Sequence, residues 1–337
     1  MADRPTDLLT ESTIMVTGGA GFIGSNMVDV LSRDPSNTVI AVDDLSTGDP
    51  ANVVWMRRRK NVSFHKLDVC KTRRLASVMR CGVDLVFHEA AVASVQASIN
   101  DPVSTNRANV EGTISCLQAC VDAGVGGLVF ASSCAVYGDQ TAPPLREDGP
   151  ARPTSPYGVS KLAGENYCRV FHELHGTHVV SLRYFNVYGP RQNPDSEYAA
   201  VVPTFIKLMA SGRPLTIHGD GEQTRDFVYV QDVIRANCIA ARTAKAAGRT
   251  YNVASGRAVS INTLAELIRQ AMGSDLKPRH GKPRPGDIRH SCGDPTRARV
   301  ELGFEPLYSL ERGLKETVSY FLDGRQLNAK RRGQERN

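Results

Sequence analysis

Short apolar runs and amphipathic stretches alternate along the first half of the chain. Residues 13–17, TIMVT, open into GGAGFIG; the helical pattern SNMVDVLSR and a second apolar run, TVIAVD (38–43), follow. Apolar runs this short, bounded by glycine, suit strands, and apolar positions recurring about every 3.6 residues suit a helix, so the stretch predicts a β–α–β unit. The rhythm then repeats. VSFHKLDV (62–69) predicts a third strand, RLASVMR (74–80) a helix and VDLVFHEA (83–90) a fourth strand. NVEGTISCLQACVDAG (109–124) predicts a long helix, and GLVFASS (127–133) and HVVSLRYF (178–185) a fifth and sixth strand, with a helix between them ending near His175. Strands alternating with helices predict an α/β fold, a doubly wound parallel sheet with right-handed crossovers. Runs such as LVF and IAV suit strands buried on both faces.

After about residue 186 the pattern changes. NVYGPRQNPDSEYAAVVP is a long polar loop, followed by a helix through TFIKLMASG and a short strand in LTIHG. DFVYVQDVIRANCIAARTA predicts a strand running into a helix and TYNVAS a further strand, both able to rejoin the main sheet. NTLAELIRQAMG is an amphipathic helix, whereas PRPGDIRHSCGD is too rich in Pro, Gly and charge for either element. The expected organisation is a nucleotide-binding domain over 1–185, with 226–256 returning to it. A smaller substrate-binding region covers 186–225 and 257–325, and residues 326–337 form a basic tail expected to be disordered.

Composition adds few constraints. At 337 residues, 41% hydrophobic and 23% charged, the chain can bury a sizeable core. No stretch approaches the roughly 20 apolar residues of a membrane span. The N-terminal MADRPTDLLTEST lacks the apolar core of a secretion signal, so a cytoplasmic protein without membrane contact is expected. Eight scattered cysteines without a C-x-x-C pair argue for reduced thiols and against a zinc site. The net charge of +6 comes largely from RRRK (Arg57–Lys60) and the tail AKRRGQERN. No aromatics are interleaved with either, so nucleic acid is not the expected partner; a doubly charged phosphate ligand suits the excess better.

The glycines at 18, 21 and 24 have separate tasks. Gly18 permits a tight turn out of the strand, Gly21 lets backbone approach a pyrophosphate, and Gly24 lets the helix pack on the sheet. The helix N-terminus offers its N–H groups to the anion. Asp43, at the end of the next strand, is placed to hold the adenosine ribose hydroxyls; no arginine stands directly beside it, which favours NAD over NADP.

SPYGVSK (155–161) places Tyr157 and Lys161 on one face of a helix, near Ser133 at the end of the fifth strand. A free phenol ionises near pH 10, too high for a base at neutrality. The expectation is that Lys161, together with the positive charge of an oxidised nicotinamide, lowers it, so that Tyr157 exchanges a proton with a sugar hydroxyl that Ser133 orients, while Lys161 also holds the nicotinamide ribose. Alone, Y-x-x-x-K is most often an exposed helix pair; beside a dinucleotide turn and a strand-ending serine, the catalytic reading prevails.

These motifs, with VDDLSTG (42–48), HEAAVASV (88–95), NVEGT (109–113), SSCAVYG (132–138), RYFNVYGPRQ (183–192), GDGEQTRDFVYVQDV (219–233) and RPGDIRHS (284–291), resemble the extended short-chain dehydrogenases/reductases of the NAD-dependent epimerase/dehydratase group, UDP-sugar 4-epimerases above all. The resemblance implies a Rossmann-type sheet with a C-terminal UDP-sugar-binding region, and a homodimer. It implies cofactor contacts at Gly18, Gly21, Phe22, Ile23, Gly24, Asp43, Asp44, Ser46, Thr47 and Gly48, at Asp68 and Val69 around the adenine, at Ala90, Ala91 and Asn109, and at Tyr157 and Lys161. Substrate contacts are implied at Ser94, Ser133, Cys134, Tyr157, Asn186, Val202 (uracil), Thr216, His218, Arg225 and Arg284 (phosphates), Asp287 and Ser291.

Dehydratases of this group carry an Asp-Glu pair after the Ser/Thr, where Cys134 and Ala135 stand here. Elimination is therefore disfavoured, and C4 epimerisation of a UDP-hexose through a 4-keto intermediate is expected. UDP-glucuronate 4-epimerisation is an alternative with the same machinery, and a non-catalytic NAD-binding scaffold is another. Ser291 replaces a bulky tyrosine of some relatives, which leaves room for N-acetylated sugars. Glu89 departs from the pattern: relatives often carry an apolar or amide residue there, and the sequence leaves open whether it faces solvent or tunes the cofactor pocket.

Overall fold

The computed structural model describes residues 9–139, 143–195, 199–283 and 288–334, with side chains as far as Asp323. Seven strands form one parallel sheet: β1 (Thr13–Thr17), β2 (Thr38–Asp43), β3 (Val62–Lys66), β4 (Leu85–His88), β5 (Gly127–Ser133), β6 (His178–Tyr184) and β10 (Thr250–Val253). Their order, β10-β6-β5-β4-β1-β2-β3, reverses between β1 and β4. Every pairing in it is parallel. At that reversal the connections leave in opposite directions and open a crevice beyond the strand ends, where such folds bind ligands.

Neighbouring residues of a strand point to opposite faces. Ile14 and Val16 therefore join one apolar cluster, with Met27, Val28, Val233 and Ile234, while Met15 joins the other, with Leu75, Met79, Cys116 and Leu117. Helices cover both faces: Phe22–Leu31 and Val230–Arg242 on the first, Thr72–Met79 and Gly112–Ala123 on the second. The helix Pro156–His175 follows β5 and packs on β5 and β6.

The expected strands and principal helices are present, with two kinds of difference. Short helices at Pro50–Met56, Val95–Asn100 and Pro102–Asn106 escape the pattern because each spans two turns or fewer. Asp49, Ser94 and Asp101 cap them, accepting hydrogen bonds from Ala51, Ala97 and Ser104 N–H. The second difference lies beyond β6. Of the two later runs, β10 rejoins the main sheet, but β9 (Thr224–Tyr229) does not. It forms a separate three-stranded sheet with β7 (Asn186–Tyr188), parallel, and β11 (Ala258–Ser260), antiparallel. A two-stranded piece pairs β8 (Thr216–His218) with β12 (Arg279–Gly281). The last helix runs Leu310–Gln334 and so continues into the basic tail.

Candidate active site at the sheet's reversal

The glycine turn is set by close packing. Gly18 has φ +66°, and a Cβ there would lie 2.8 Å from Ala90 N; a Cβ on Gly24 would lie 2.2 Å from Gly18 O. Neither position accepts a side chain without backbone movement. The helix that starts at Phe22 has Gly21 as its N-cap, with no side-chain cap and no acid in its first turn, so its positive end is left for an anion.

A groove of about 590 Å³ runs from this turn along the strand ends. Ten of the expected residues line it: Gly18, Gly21, Asp43, Asp44, Ser46, Thr47, Asp68, Val69, Ala90 and Ala91. Phe22, Ile23 and Gly24 begin the helix behind it. Asp43 is anchored by Ala20 N–H (3.0 Å) on one oxygen and Leu45 N–H (2.8 Å) on the other, and burial raises its pKa against those hydrogen bonds. A Cβ on Gly48 would strike this carboxylate at 2.7 Å, which explains the glycine there. Asp44 accepts from Ser46 N–H and Oγ–H, closing the loop beside it. A cradle that admits no Cβ, an uncapped helix N-terminus and an anchored carboxylate together fit an adenine dinucleotide.

The three expected catalytic residues do not line this groove, but Tyr157 and Lys161 feel the charge of Glu89, which does. Tyr157 and Lys161 are almost fully buried, and Lys161 Nζ lies 5.9 Å from the centre of the Tyr157 ring. Lys161 donates to Ala131 O at 2.8 Å, and burial pulls it down to about 8. Tyr157 is pushed up to about 12 by burial, against a hydrogen bond with Ser133 that lowers it; Cys134 and Glu89 push it further up. Burial of the phenol therefore outweighs the hydrogen bond with Ser133. Removing a phenol from water disfavours its anion more than one hydrogen bond restores.

Several unpredicted residues hold this region in place. Ser132 donates to Glu165 at 2.5 Å, and Arg183 grips the same carboxylate through two hydrogen bonds, of 2.9 and 2.7 Å. This buried pair fixes the strand end beside Ser133. His88 bonds Thr17 Oγ1 at 2.7 Å and Thr113 Oγ1 at 3.1 Å, and Thr17 accepts from Ala90 N–H. Burial, helped by the charge of Lys161, lowers His88 to about 3, so it is a neutral strut. Asn109 spends its amide on Val92 N–H, Val92 O and Ser160 Oγ, which makes it a clamp between the groove wall and the Tyr157 helix. It stands in an i→i+5 turn, Arg107–Glu111, a local widening of the kind that gathers at functional sites.

The expected substrate residues come from several elements. Cys134 follows Ser133 directly, and burial raises its thiol to about 11 while the charge of Arg225 lowers it. Arg225 lies on β9, opposite Val259 of β11, and donates to Thr224 O. Asn186 begins β7 and donates to Asp226 O. Ser291 is buried, its N–H bonded to Thr224 O, beside Arg225 in sequence register. Thr216 and His218 lie on β8, with His218 Nδ1 3.2 Å from Lys282 O. Ser94 is engaged as a helix cap. Val202 packs in the apolar core at 1% exposure, so any contact with a base would fall to its backbone. Arg284 and Asp287 lie outside the described residues. Asp226 is fully buried and accepts from Ser255 N–H, Ser255 Oγ–H, Gly256 N–H and Gly293 N–H, tying two loops to β9. Among the described residues, no three His, Cys, Asp or Glu side chains are grouped to hold a metal ion.

Residues 14–254 match the model of the NAD dependent epimerase/dehydratase family. The chain belongs to that family. It is 39% identical over 308 residues to the UDP-glucose 4-epimerase of Mycolicibacterium smegmatis, covering 91% of this chain and 97% of that one. Among solved structures it is similar to the UDP-N-acetylglucosamine 4-epimerase of Methanobrevibacter ruminantium in complex with UDP-N-acetylmuramic acid, with TM-score 0.88 and 38% identity over 94% of this chain and 100% of that one. It is also similar to the UDP-glucose 4-epimerase of Thermotoga maritima with UDP-glucose, with TM-score 0.87 and 38% identity over 93% of this chain and 99% of that one. Family membership makes NAD the cofactor that the groove is built for. No helix among the described residues is long and apolar enough to cross a membrane.

Proposed function

We propose that the chain is a UDP-hexose 4-epimerase that inverts C4 of its sugar through a 4-keto intermediate. The observation that carries the reading is the strand end Ser133-Cys134-Ala135 beside Tyr157 and Lys161: a proton-transfer group is present, but the two positions after the serine carry no acid for eliminating water. Held in that groove, NAD would supply a reversible acceptor for the C4 hydride and, in its oxidised form, a positive charge that favours the Tyr157 phenolate. Tyr157 accepts the proton of the C4 hydroxyl and gives it back to the opposite epimer, with Ser133 hydrogen-bonded between them. Lys161, fixed by Ala131 O, holds the cofactor's ribose and keeps its positive charge beside the phenol ring. Arg225 and Arg284 clamp the diphosphate, and Asn186 and Ser291 complete the sugar side. In this division, 1–185 with the helix Val230–Arg242 and β10 serve the cofactor, and 186–229, which includes β9, with 257–325 serve the UDP-sugar.

Ser291 leaves space where an N-acetyl group can fit, so UDP-N-acetylhexosamines are substrates beside UDP-glucose and UDP-galactose. Product analysis on UDP-glucose, UDP-N-acetylglucosamine and UDP-glucuronate in turn tests the reading. C4 epimers of the first two are expected; no C4 epimer of any of the three overturns it, and epimerisation of UDP-glucuronate alone moves the activity to the uronate. The chain acts as a homodimer. Val95, Ile99 and Val103 on the short helices and Val159 on the Tyr157 helix expose apolar side chains that a second copy would cover. Light scattering at micromolar concentration distinguishes dimer from monomer.

A further inference from the structure

Glu89 lines the cofactor groove and its charge reaches both catalytic residues, yet the reaction above does not use it. It follows β4 directly, its N–H bonded to Thr17 O, and it lines the groove beside Gly18, Ala90 and Ala91. Its side chain is partly buried. The hydroxyl of Tyr184, at the end of β6, donates to Glu89 Oε1 at 2.8 Å, and Asn237 Nδ2 donates to that hydroxyl at 2.8 Å. Asn237 is itself buried, held by Val233 O in the helix Val230–Arg242. The ends of β4 and β6 and the helix Val230–Arg242 thus hold one carboxylate at the groove wall. Its charge is felt at both catalytic residues, favouring the cation of Lys161 and opposing the phenolate of Tyr157.

A carboxylate in that position opposes the proton transfer the site needs, so a compensating use is required. Oxidised nicotinamide is a cation and the reduced ring is neutral, so a fixed anion beside the groove stabilises the first and not the second. We propose that Glu89, held by Tyr184 and Asn237, is the counter-charge that makes the site prefer the oxidised cofactor. It is a positioning residue acting on the cofactor's charge, not one that exchanges atoms with substrate. Burial raises its carboxyl to about 7, against the Tyr184 hydrogen bond and the charge of Lys161; a nearby cation favours its ionised form by the same interaction read in reverse. A cofactor regenerated at each turnover must return to its oxidised state before the next substrate, and this charge favours that return.

The inference rests on the NAD reading of the groove, and its test separates the two. Purified holoprotein is equilibrated with an equimolar mixture of NAD+ and NADH until the bound ratio no longer changes, then freed of unbound nucleotide and analysed. The wild-type chain retains mainly NAD+. Glu89→Gln keeps an oxygen for Tyr184 but loses the charge, and the bound NAD+:NADH ratio falls about tenfold, the size expected of one partly screened charge pair. Tyr184→Phe releases the carboxylate from its donor and lowers the ratio in the same direction by less; it serves where the first variant does not fold. An unchanged ratio in the folded variants overturns the inference. Retention of neither nucleotide by the wild type overturns the NAD reading itself.

Discussion

The two halves of the candidate site are built by different means. The cofactor side is regular. Its residues sit at the ends of β1, β2 and β4, next to one another in a parallel sheet, and its limiting contacts are backbone against backbone, such as Gly24 against Gly18 O. The side proposed for the sugar is assembled from β7, β8, β9, β11 and the segment around Ser291, whose short strands belong to two small sheets. Its coherence depends on one buried carboxylate, Asp226, receiving four donors from Ser255, Gly256 and Gly293. A site shaped by backbone packing is defined by where side chains are forbidden. A site tied by a polar hub depends on a single residue for its shape.

That difference yields predictions of decreasing size. Replacing the group that serves both halves has the largest effect: Tyr157→Phe lowers kcat by about 100- to 10,000-fold, the range of a lost acid–base group, while bound NAD, measured after denaturation, stays at the wild-type level. Next, Gly24→Ala puts a methyl carbon 2.2 Å from Gly18 O. Cofactor content collapses and stability falls by about 3 kcal/mol, read by nucleotide extraction and thermal melting. On the sugar side, Asp226→Asn leaves four donors with a weaker acceptor, costing about 2 kcal/mol in melting experiments. It raises KM for the UDP-sugar while NAD content is unchanged; loss of NAD as well would erase the distinction between the halves. Smallest is Ser291→Tyr, which lowers kcat/KM for UDP-N-acetylglucosamine about tenfold relative to UDP-glucose. Equal losses for both sugars would remove Ser291 from substrate selection.

Much of the cofactor side was legible from the chain because its constraints are local. Glycine spacing, a strand before it and an acid ending the next strand all lie within about 30 residues, the reach of a single β–α–β unit. The sugar side was legible only in outline. The destination of β9 was open because an apolar run that suits the main sheet equally suits a small sheet of its own, and pairing with β7 and β11 depends on residues far away in sequence. The buried role of Asp226 was illegible for the same reason, since its partners lie about 30 and 67 residues onward. Spacing placed Lys161 beside Tyr157 correctly but could not weigh burial, which governs both their ionisations. Glu89 was visible as a departure; only the hydrogen bond from Tyr184, contributed by another strand, shows which way it points.

The central claim is that the C4 hydrogen leaves the sugar and returns to the same carbon without meeting water. Holoprotein, with no nucleotide added, is incubated in ordinary water with UDP-glucose carrying deuterium at C4, and the product is examined by NMR and mass spectrometry. UDP-galactose that keeps its deuterium at C4 is the predicted result. A C4 epimer whose label has been exchanged for solvent hydrogen would contradict it, because inversion would then proceed by proton removal at carbon and the bound redox cofactor would have no part in it.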